Sequence, residues 1–307
     1  KREFTLHWKD LGKYNRIKTL YIPAERNIVA VIPNWFEVTL ERNNTRSYLA
    51  HWESVRKFFT KNDPLKLLDI AIYYFDPASK SDRLVSEGKS FSIQSASSGL
   101  QTLTPMLALV DFYSKMYFSD RKSDDGREEE SLDNLLRMSK LIGRVSRYLN
   151  QDASMKNEND MHLWNTINRY HSARSANNVE ADFTDSLMRY INELFEPHYT
   201  AFFIEEPEQN LYPTAQRDLI NHLIESLSGS DHTVFVTTHS PYVLTTIKNM
   251  LLAHEVGKAD AIGTDAVIPS KRWLDKSDIA AWKMDAKHGT LKPLLEEDMA
   301  MLRVEDI

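Results

Sequence analysis

Two adjacent glutamates, Glu205 and Glu206, follow an apolar run in the segment FFIEEPEQNLYP, residues 202–213. Neighbouring carboxylates repel each other, so their position after an apolar run is favoured if a cation or a polarised water lies beside them. The first carboxylate could hold Mg²⁺ directly or through water, and the second could orient and deprotonate a nucleophilic water. A strand whose polar end simply reaches solvent would carry the same residues, and the pair alone does not decide between these interpretations.

Two further segments carry residue types suited to the same chemistry. VFVTTHS, residues 234–240, is a second apolar run, and it ends at His239. SSGLQ, residues 97–101, is a turn of small residues before an apolar segment, and such a turn offers main-chain N–H groups and a helix N-terminus to an anion. Alone, His239 would more often be a hydrogen-bonded strand-end histidine, and Ser-Gly turns are common. The three segments together, in this order and spacing, are a much more specific pattern.

The sequence around Glu206 and His239 predicts strand, helix, strand and helix in turn. Short apolar strands that alternate with helices are typical of a parallel sheet covered by helices. Ligands bind at the carboxyl ends of such strands, which is where Glu206 and His239 are expected. The predicted strands are residues 200–204 and 232–238, and the predicted helices are residues 214–227 and Pro241 to about Leu252.

The rest of the chain divides by composition into a head and an insertion. Residues 110–195 alternate charged stretches with amphipathic helical patterns, and we expect them to form a helical insertion in a head built from residues 1–109 and 196–307. The insertion could provide oligomer or partner contacts, or it could be a helical lid that packs on the head. Other predicted elements are a helix at 45–59, a strand at 68–75, a hairpin at 83–94, a helix at 95–118 and a hairpin turning at Lys287 to Gly289.

The composition limits the class of protein. Of the 307 residues 42 % are hydrophobic and 27 % charged, as in ordinary globular proteins. No segment approaches the roughly 20 apolar residues that span a bilayer, and no signal-like segment occurs, so we expect a cytoplasmic protein with no membrane contact. The chain has no cysteine and a net charge of −6, so disulfides and thiolate-bound zinc are excluded and any nucleic-acid contact requires a local basic patch.

The three segments together resemble motifs of the ABC-type ATPases, and within them the branch that includes the OLD, RecF and SMC-like proteins. SSGLQ is similar to the signature motif, FFIEEPEQNLYP to Walker B with the D-loop, and TTHSPYVL to the switch-histidine loop. The resemblance covers residues 90–110 and 198–252. It implies an α/β fold, namely an ABC-type ATPase head with a parallel sheet core and flanking helices, which binds ATP and Mg²⁺.

The resemblance also implies roles for individual residues. Glu205 stands where a metal-binding Asp is usual, Glu206 stands where the catalytic base is found, and His239 would sense the γ-phosphate. YIPAER, residues 21–26, is similar to a segment of the same branch, which makes Arg26 a candidate nucleotide-binding residue. The residues expected to contact the γ-phosphate of ATP held by the opposite subunit are Ser98, Gly99 and Gln101.

The phosphate-binding loop of such ATPases has no counterpart in this sequence. No G-x-x-x-x-G-K-[ST] motif occurs, and EGKS at 87–90 is not one because position 83 is Arg. Either an N-terminal lobe that carries the Walker A motif is missing from the sequence, or this subunit cannot hold its own phosphates. We expect the first, since Glu206 and His239 would have little use without ATP.

The residues also narrow the choice within the branch. No Asp-x-Asp pair occurs, so a Toprim nuclease domain like that of OLD enzymes is not expected, and no heptad-rich arm is long enough for an SMC coiled coil. What remains resembles the stand-alone ATPases of anti-phage defence systems of the PARIS or Septu type. This resemblance implies a head-to-tail homodimer or larger oligomer whose nucleotide state controls a separate effector nuclease or toxin in abortive infection, with a phage-encoded trigger as a further partner.

Two alternative functions stay open. The first is a RecF- or SMC-like repair ATPase that binds DNA, for which SVRKFFTKN at 54–62 offers basic residues between aromatic ones, although the net charge disfavours broad phosphate contact. The second is a non-catalytic scaffold that keeps the ATPase fold without its chemistry, an alternative that the missing phosphate loop favours.

Overall fold

The computed structural model describes residues 16–32, 43–119, 197–285 and 287–295. The chain divides into two compact units, one of residues 1–18 and 118–198 and the other of residues 19–117 and 199–307. Most described residues belong to the second unit, which has an α/β fold that includes a parallel strand pair. The predicted helical insertion lies outside the described residues except for its first ten residues, 110–119.

Residues Glu205 and His239 are positioned by a three-stranded sheet in the order β1, β6, β7. Strands β6 and β7 pair in parallel with Glu205 opposite Thr237, which confirms the predicted strand pair. Strand β6 starts three residues before the predicted strand. The three strands are β1 (Arg16–Ile22), β6 (Pro197–Glu205) and β7 (Thr233–Thr237).

One face of this sheet packs against helices α3, α5 and α6, with bounds Ser98–Asp111, Pro213–Leu227 and Pro241–Gly257. Alternate strand residues such as Phe202 and Ile204 are 1 % exposed and join the helices in a single apolar core. Helix α6 continues past Leu252, where the prediction placed its end, to Gly257. A Cβ at Gly257 would collide with the Trp273 ring, so this helix end needs a residue without a side chain.

The opposite face of the same sheet carries exposed aromatic side chains. Phe203 is 40 % exposed and Phe235 is 53 % exposed, and their rings lie 5.8 Å apart on neighbouring strands. Parallel strands are usually covered on both faces, because the connections between them place helices there. Within the described residues, the helices therefore cover the sheet on one side.

A four-stranded antiparallel sheet precedes α3. Its order is β2, β3, β4, β5, and the hairpin predicted at 83–94 is confirmed as the β4–β5 pair. The strand predicted at 68–75 instead begins at Ala71, because Leu68 has φ of +54° and turns the chain after β2. The strands are β2 (Leu65–Leu67), β3 (Ala71–Asp76), β4 (Ser81–Ser86) and β5 (Lys89–Ser92).

The remaining elements are short apart from α2. The helix predicted at 45–59 is α2 followed by a 3₁₀ turn, in which Phe58 is 42 % exposed. Helix α3 runs through the head boundary expected at 109/110 and continues through a π-helical turn at Phe112–Met116. None of the described helices is long and apolar enough to cross a membrane. The other elements are α1 (Ile28–Val31), α2 (Asn44–Val55), α4 (Tyr117–Ser119), α7 (Ala261–Asp265), and the antiparallel hairpin β8 (Trp282–Asp285) and β9 (Thr290–Pro293).

Candidate functional site

The carboxyl ends of β6 and β7 bring Glu206 and His239 together. The N–H of Glu206 donates to the carbonyl oxygen of Thr237 at 2.9 Å, which extends the strand pairing by one residue. Nε2 of His239 lies 3.7 Å from Oε1 of Glu206, and the two side chains are 89 % and 41 % exposed. The carboxylate and the imidazole therefore face solvent side by side, at the edge of the sheet where ligands bind in α/β folds.

Glu206 adopts a backbone conformation that is uncommon for a residue with a side chain. Its φ is +41°, in the left-handed region, and such a conformation costs about 1–2 kcal/mol for a non-glycine residue. The turn is closed by a hydrogen bond from the Gln209 N–H to the Glu206 carbonyl oxygen at 3.0 Å. This conformation turns the chain sharply away from the strand and leaves the Glu206 side chain partly exposed.

The side chain of Arg26 donates hydrogen bonds to the main chain of this turn. Its side chain is fully buried, and Nη1 and Nη2 donate to the main-chain carbonyl oxygens of Glu205 and Glu206, each at 2.8 Å. Two further hydrogen bonds reach the carbonyl oxygens of Pro207 at 3.1 Å and Pro23 at 3.2 Å. Arg26 was predicted as a nucleotide-binding residue, and in this structure its buried guanidinium donates to main-chain oxygens of the turn.

The charge of Arg26 also acts on the acidic groups above it. Burial lowers the pKa of its guanidinium, whereas Tyr48 and the carboxylates of Glu208 and Glu206 oppose that shift. The group stays charged, because an arginine pKa lies far above neutrality. A buried cation thus lies close to the carboxylates of Glu208 and Glu206.

Glu205 faces the segment that leads to Arg26. Its Oε2 accepts from the Ala24 N–H at 3.4 Å, and burial together with a hydrogen bond to the Glu205 carboxylate raises the pKa of Tyr21 to about 12. The described residues contain no group of three or more His, Asp or Glu side chains that could enclose a metal ion. Mg²⁺ in phosphate-binding sites is often held by one or two carboxylates together with phosphate and water oxygens, and the oxygen donors of Glu205 and Glu206 fit that requirement.

The SSGLQ segment forms the N-terminus of α3, as predicted. The Ser97 hydroxyl caps the helix by accepting from the Leu100 N–H at 3.4 Å, and Ser98 is exposed. Gly99 lies against the turn that follows Glu206, since a Cβ at this position would come within 2.8 Å of the Asn210 carbonyl oxygen. The N-terminus of α3 and the turn after β6 are therefore in direct contact within one subunit.

The Gln101 side chain points back along its own chain. Its Nε2 donates to the carbonyl oxygens of Ile93 at 3.2 Å and Gln94 at 3.1 Å, so the amide nitrogen is already committed. In the described part of the chain, no hydrogen bond or ion pair joins Gln101 to Glu206 or His239. The candidate residues thus form two groups, one of Arg26, Glu205, Glu206 and His239 and the other of Ser98, Gly99 and Gln101.

A third acidic residue, Glu208, connects the two strand ends and was not predicted from the sequence. Its Oε1 accepts from the Thr238 hydroxyl at 2.7 Å and from the His239 N–H at 2.8 Å. The Thr238 hydroxyl in turn accepts from the Ser240 N–H at 3.0 Å. The sequence showed only an acidic residue two positions after Glu206, in a turn that begins with Pro207. Such a residue is not distinguishable from an ordinary exposed turn residue by its sequence.

The comparisons with known proteins give one family match, in the segment that contains these residues. The sequence model of a family described as an AAA ATPase domain matches residues 186–244, less than half of the chain. The match includes Glu205, Glu206, Glu208 and His239, and its first residues, 186–196, lie outside the described ones. No curated protein matches the chain. The family match supports an ATPase of the ABC/AAA-like superfamily and a nucleotide-hydrolysing function.

Proposed function

We propose that this chain is the ATP-binding and ATP-hydrolysing subunit of an ABC-type ATPase, with its reaction centre at Glu206 and His239. The observation that carries the proposal is the separation of 3.7 Å between the Glu206 carboxylate and the His239 imidazole at the shared end of β6 and β7. A carboxylate base and a phosphate-sensing imidazole must lie beside the same water and γ-phosphate, and both side chains are open to solvent.

In this proposal each side chain has a separate task. Glu206 accepts the proton of the attacking water, and His239 donates a hydrogen bond to the γ-phosphate. Glu205 helps to hold Mg²⁺, which when bound neutralises charge on the phosphate oxygens. Arg26 holds the main chain of both glutamates, so that their carboxylates do not move apart by repulsion.

The group of Ser98, Gly99 and Gln101 acts on a second subunit in our proposal. The exposed N-terminus of α3 offers main-chain N–H groups and the positive end of the helix dipole to a phosphate. In a head-to-tail dimer this helix end would face ATP bound at Glu206 and His239 of the other subunit. Such an arrangement explains why the two groups are not joined by hydrogen bonds within one subunit.

In this proposal an additional lobe supplies the phosphate loop that the 307 residues lack. We propose that a segment carrying the Walker A motif covers the face of the sheet on which Phe203 and Phe235 are exposed. The apolar surface of these two rings supports the proposal, because a parallel sheet gains stability when its second face is also buried.

At the level of the whole system we propose a role in anti-phage defence, in which the nucleotide state controls a separate effector nuclease or toxin. Residues 110–195 would contact the partner or the phage-encoded trigger. The DNA-repair alternative is disfavoured because Arg56 and Lys57, in the basic segment at 54–62, form ion pairs within the chain. Arg56 is mostly buried in an ion pair with Asp82 at 2.8 Å, and Lys57 lies 3.3 Å from Glu53, so both charges are already partnered.

The experiment that tests this proposal measures ATP binding and phosphate release with Mg²⁺ in the natural full-length polypeptide and its Glu206→Gln variant. Since glutamine keeps the shape but cannot take the proton, we expect ATP binding to persist and turnover to fall by a factor of about 100 or more. Glu87→Gln, an exposed change in the β4–β5 turn, is the matched control. Unchanged hydrolysis in Glu206→Gln would contradict the assignment of the base, and no hydrolysis by the unaltered protein would favour the scaffold alternative.

A further inference from the structure

Glu208 joins two loops that come from different strands. It lies two residues beyond Glu206, in the turn after β6, and its Oε1 binds the Thr238 hydroxyl and the His239 N–H in the loop after β7. The side chain is half-buried, so these hydrogen bonds compete with water less than exposed ones would. A single carboxylate oxygen therefore fixes the main chain of His239 relative to the turn of Glu206.

The second oxygen of Glu208 is buried, as is the guanidinium of Arg26. Oε2 of Glu208 and Nε of Arg26 are both buried without a hydrogen-bond partner among the described residues. The two groups attract each other, because the Glu208 carboxylate is among the charges that raise the pKa of Arg26. Arg26 donates a hydrogen bond to the main chain of Glu206, and Glu208 accepts one from the main chain of His239. We call these two residues the polar support of the site.

This support holds the main chain of His239 but leaves its ring free. The His239 side chain is 89 % exposed, whereas its N–H is committed to Glu208. The Thr238 hydroxyl extends the support, since it donates to Glu208 and accepts from the Ser240 N–H at the start of α6. The ring can thus change partner when a phosphate arrives, while its point of attachment stays fixed.

We propose that Glu208 is a positioning residue that couples the His239 loop to the Glu206 turn and thereby sets the separation of the carboxylate and the imidazole. This inference rests on the proposed ATPase function. It assigns Glu208 no contact with nucleotide or with the attacking water. Its loss therefore affects the chemical step much more than the binding of ATP.

The kinetic test compares Glu208→Ala, Glu208→Gln and Thr238→Val in the full-length protein. A displacement of a reacting group by about 1 Å costs about 100-fold in rate, so we expect Glu208→Ala to lower kcat by about 10- to 100-fold and to leave KM for ATP within about 3-fold. Glu208→Gln keeps an acceptor oxygen and recovers part of the rate. Thr238→Val removes the hydroxyl without changing the side-chain shape and lowers kcat in the same direction.

A double variant shows whether the two residues act as one unit. If Glu208 and Thr238 serve the same support, Glu208→Ala combined with Thr238→Val is little worse than Glu208→Ala alone. Thr245→Val is the matched control, since the Thr245 hydroxyl bonds the Pro241 carbonyl oxygen within α6 and does not touch the site. We expect this control to keep the kcat and KM of the unaltered protein.

Amide hydrogen exchange of His239 gives a readout that does not depend on hydrolysis. The hydrogen bond to Glu208 protects this N–H, so exchange at His239 speeds up in Glu208→Ala and stays unchanged in Thr245→Val. If the unaltered protein does not hydrolyse ATP, the proposed function fails. The coupling is then overturned if amide exchange at His239 is the same in Glu208→Ala as in the unaltered protein. If the unaltered protein is active, an unchanged kcat in folded Glu208→Ala overturns the proposal. If Glu208→Ala does not fold, an unchanged kcat in Thr238→Val overturns it.

Discussion

Nη2 of Arg26 lies 2.8 Å from the main-chain carbonyl oxygen of Glu206, so a fully buried guanidinium supports the residue that we propose as the catalytic base. Glu206 has a φ of +41°, and the hydrogen bonds from Arg26 hold this unfavourable conformation in place. The Tyr48 hydroxyl in turn donates to the carbonyl oxygen of Arg26 at 2.8 Å. The turn that carries Glu206 is thus held by a buried positive charge.

Replacement of Arg26 by methionine should be strongly destabilising. The change removes a donor from four main-chain carbonyl oxygens, of which that of Glu206 still accepts from the Gln209 N–H. Each buried group left unsatisfied costs about 1–3 kcal/mol, so we expect a loss of about 3–5 kcal/mol in the free energy of unfolding. Arg26→Lys keeps the charge but has fewer donors, and its loss should be smaller. Urea unfolding measures both. Arg217→Met is the control, because the ion pair of Arg217 with Asp218 is exposed and worth less than about 1 kcal/mol. An equal loss of stability in Arg26→Met and Arg217→Met would contradict the role of Arg26.

Replacement of Gly99 by alanine tests the contact between α3 and the turn after Glu206. Helix propensity alone would make alanine about 1 kcal/mol more favourable than glycine in a helix. The added Cβ would lie 2.8 Å from the Asn210 carbonyl oxygen, and because a main-chain atom cannot easily move away, we expect a net loss of about 1–3 kcal/mol. Thermal or urea unfolding checks the sign. Ser98→Ala, at the exposed neighbouring position, should change stability by less than about 0.5 kcal/mol, and a stabilised Gly99→Ala would show that the turn gives way.

Two adjacent phenylalanines on β6 should differ sharply in their contribution to stability. Phe202 is 1 % exposed and Phe203 is 40 % exposed, because neighbouring residues of a strand point to opposite faces. We expect Phe202→Ala to cost about 3–5 kcal/mol and Phe203→Ala less than about 1.5 kcal/mol in the free energy of unfolding. Each variant serves as the control for the other. These costs are expected for the chain of 307 residues, in which an equal cost of the two variants would contradict the prediction. In a longer polypeptide that carries the proposed Walker A lobe, Phe203→Ala should cost more than in this chain, because the lobe would cover the outer face.

Asp111 should contribute a measurable part of the acid sensitivity of folding. Burial alone would raise the pKa of its carboxyl, but hydrogen bonds and charge from His222 and Lys115 outweigh burial and hold the pKa below the ordinary 3.8. A depressed native pKa means that the unfolded chain takes up the proton first as pH falls. The stabilisation from Asp111 is therefore complete above this ordinary value and is lost as pH falls below it towards the native pKa.

The corresponding experiment follows the free energy of unfolding from about pH 6 to about pH 3. The unaltered protein should lose stability over the lower part of this range, and Asp111→Asn should lose less, because the amide has no proton to take up. Asp63→Asn, at an exposed carboxylate, should leave the slope unchanged. Equal slopes for the unaltered protein and Asp111→Asn would contradict the shifted pKa.

The elements around the site were predictable because their signals are local. The apolar runs that end at Glu205 and before His239 predict strands, and their separation by an amphipathic helix predicts the parallel pairing that the structure shows. The contact between Gly257, at the end of α6, and the Trp273 ring was not predictable, because it depends on how the segment after the helix packs. The predicted helix at 45–59 instead ends at Val55, and its periodicity does not continue into the 3₁₀ turn at Arg56–Phe58.

The sequence by itself determined the chemistry of the candidate site, namely which residue types stand at the ends of the two strands. It could not determine what holds them, since those contacts join residues that are far apart in the chain. Arg26 is separated from Glu206 by 180 positions and Glu208 from His239 by 31, and a charged residue in a loop is normally exposed. Only the tertiary structure buries Arg26 and turns Glu208 towards the second loop, because a buried charge is stable only where folding supplies its hydrogen-bond partners.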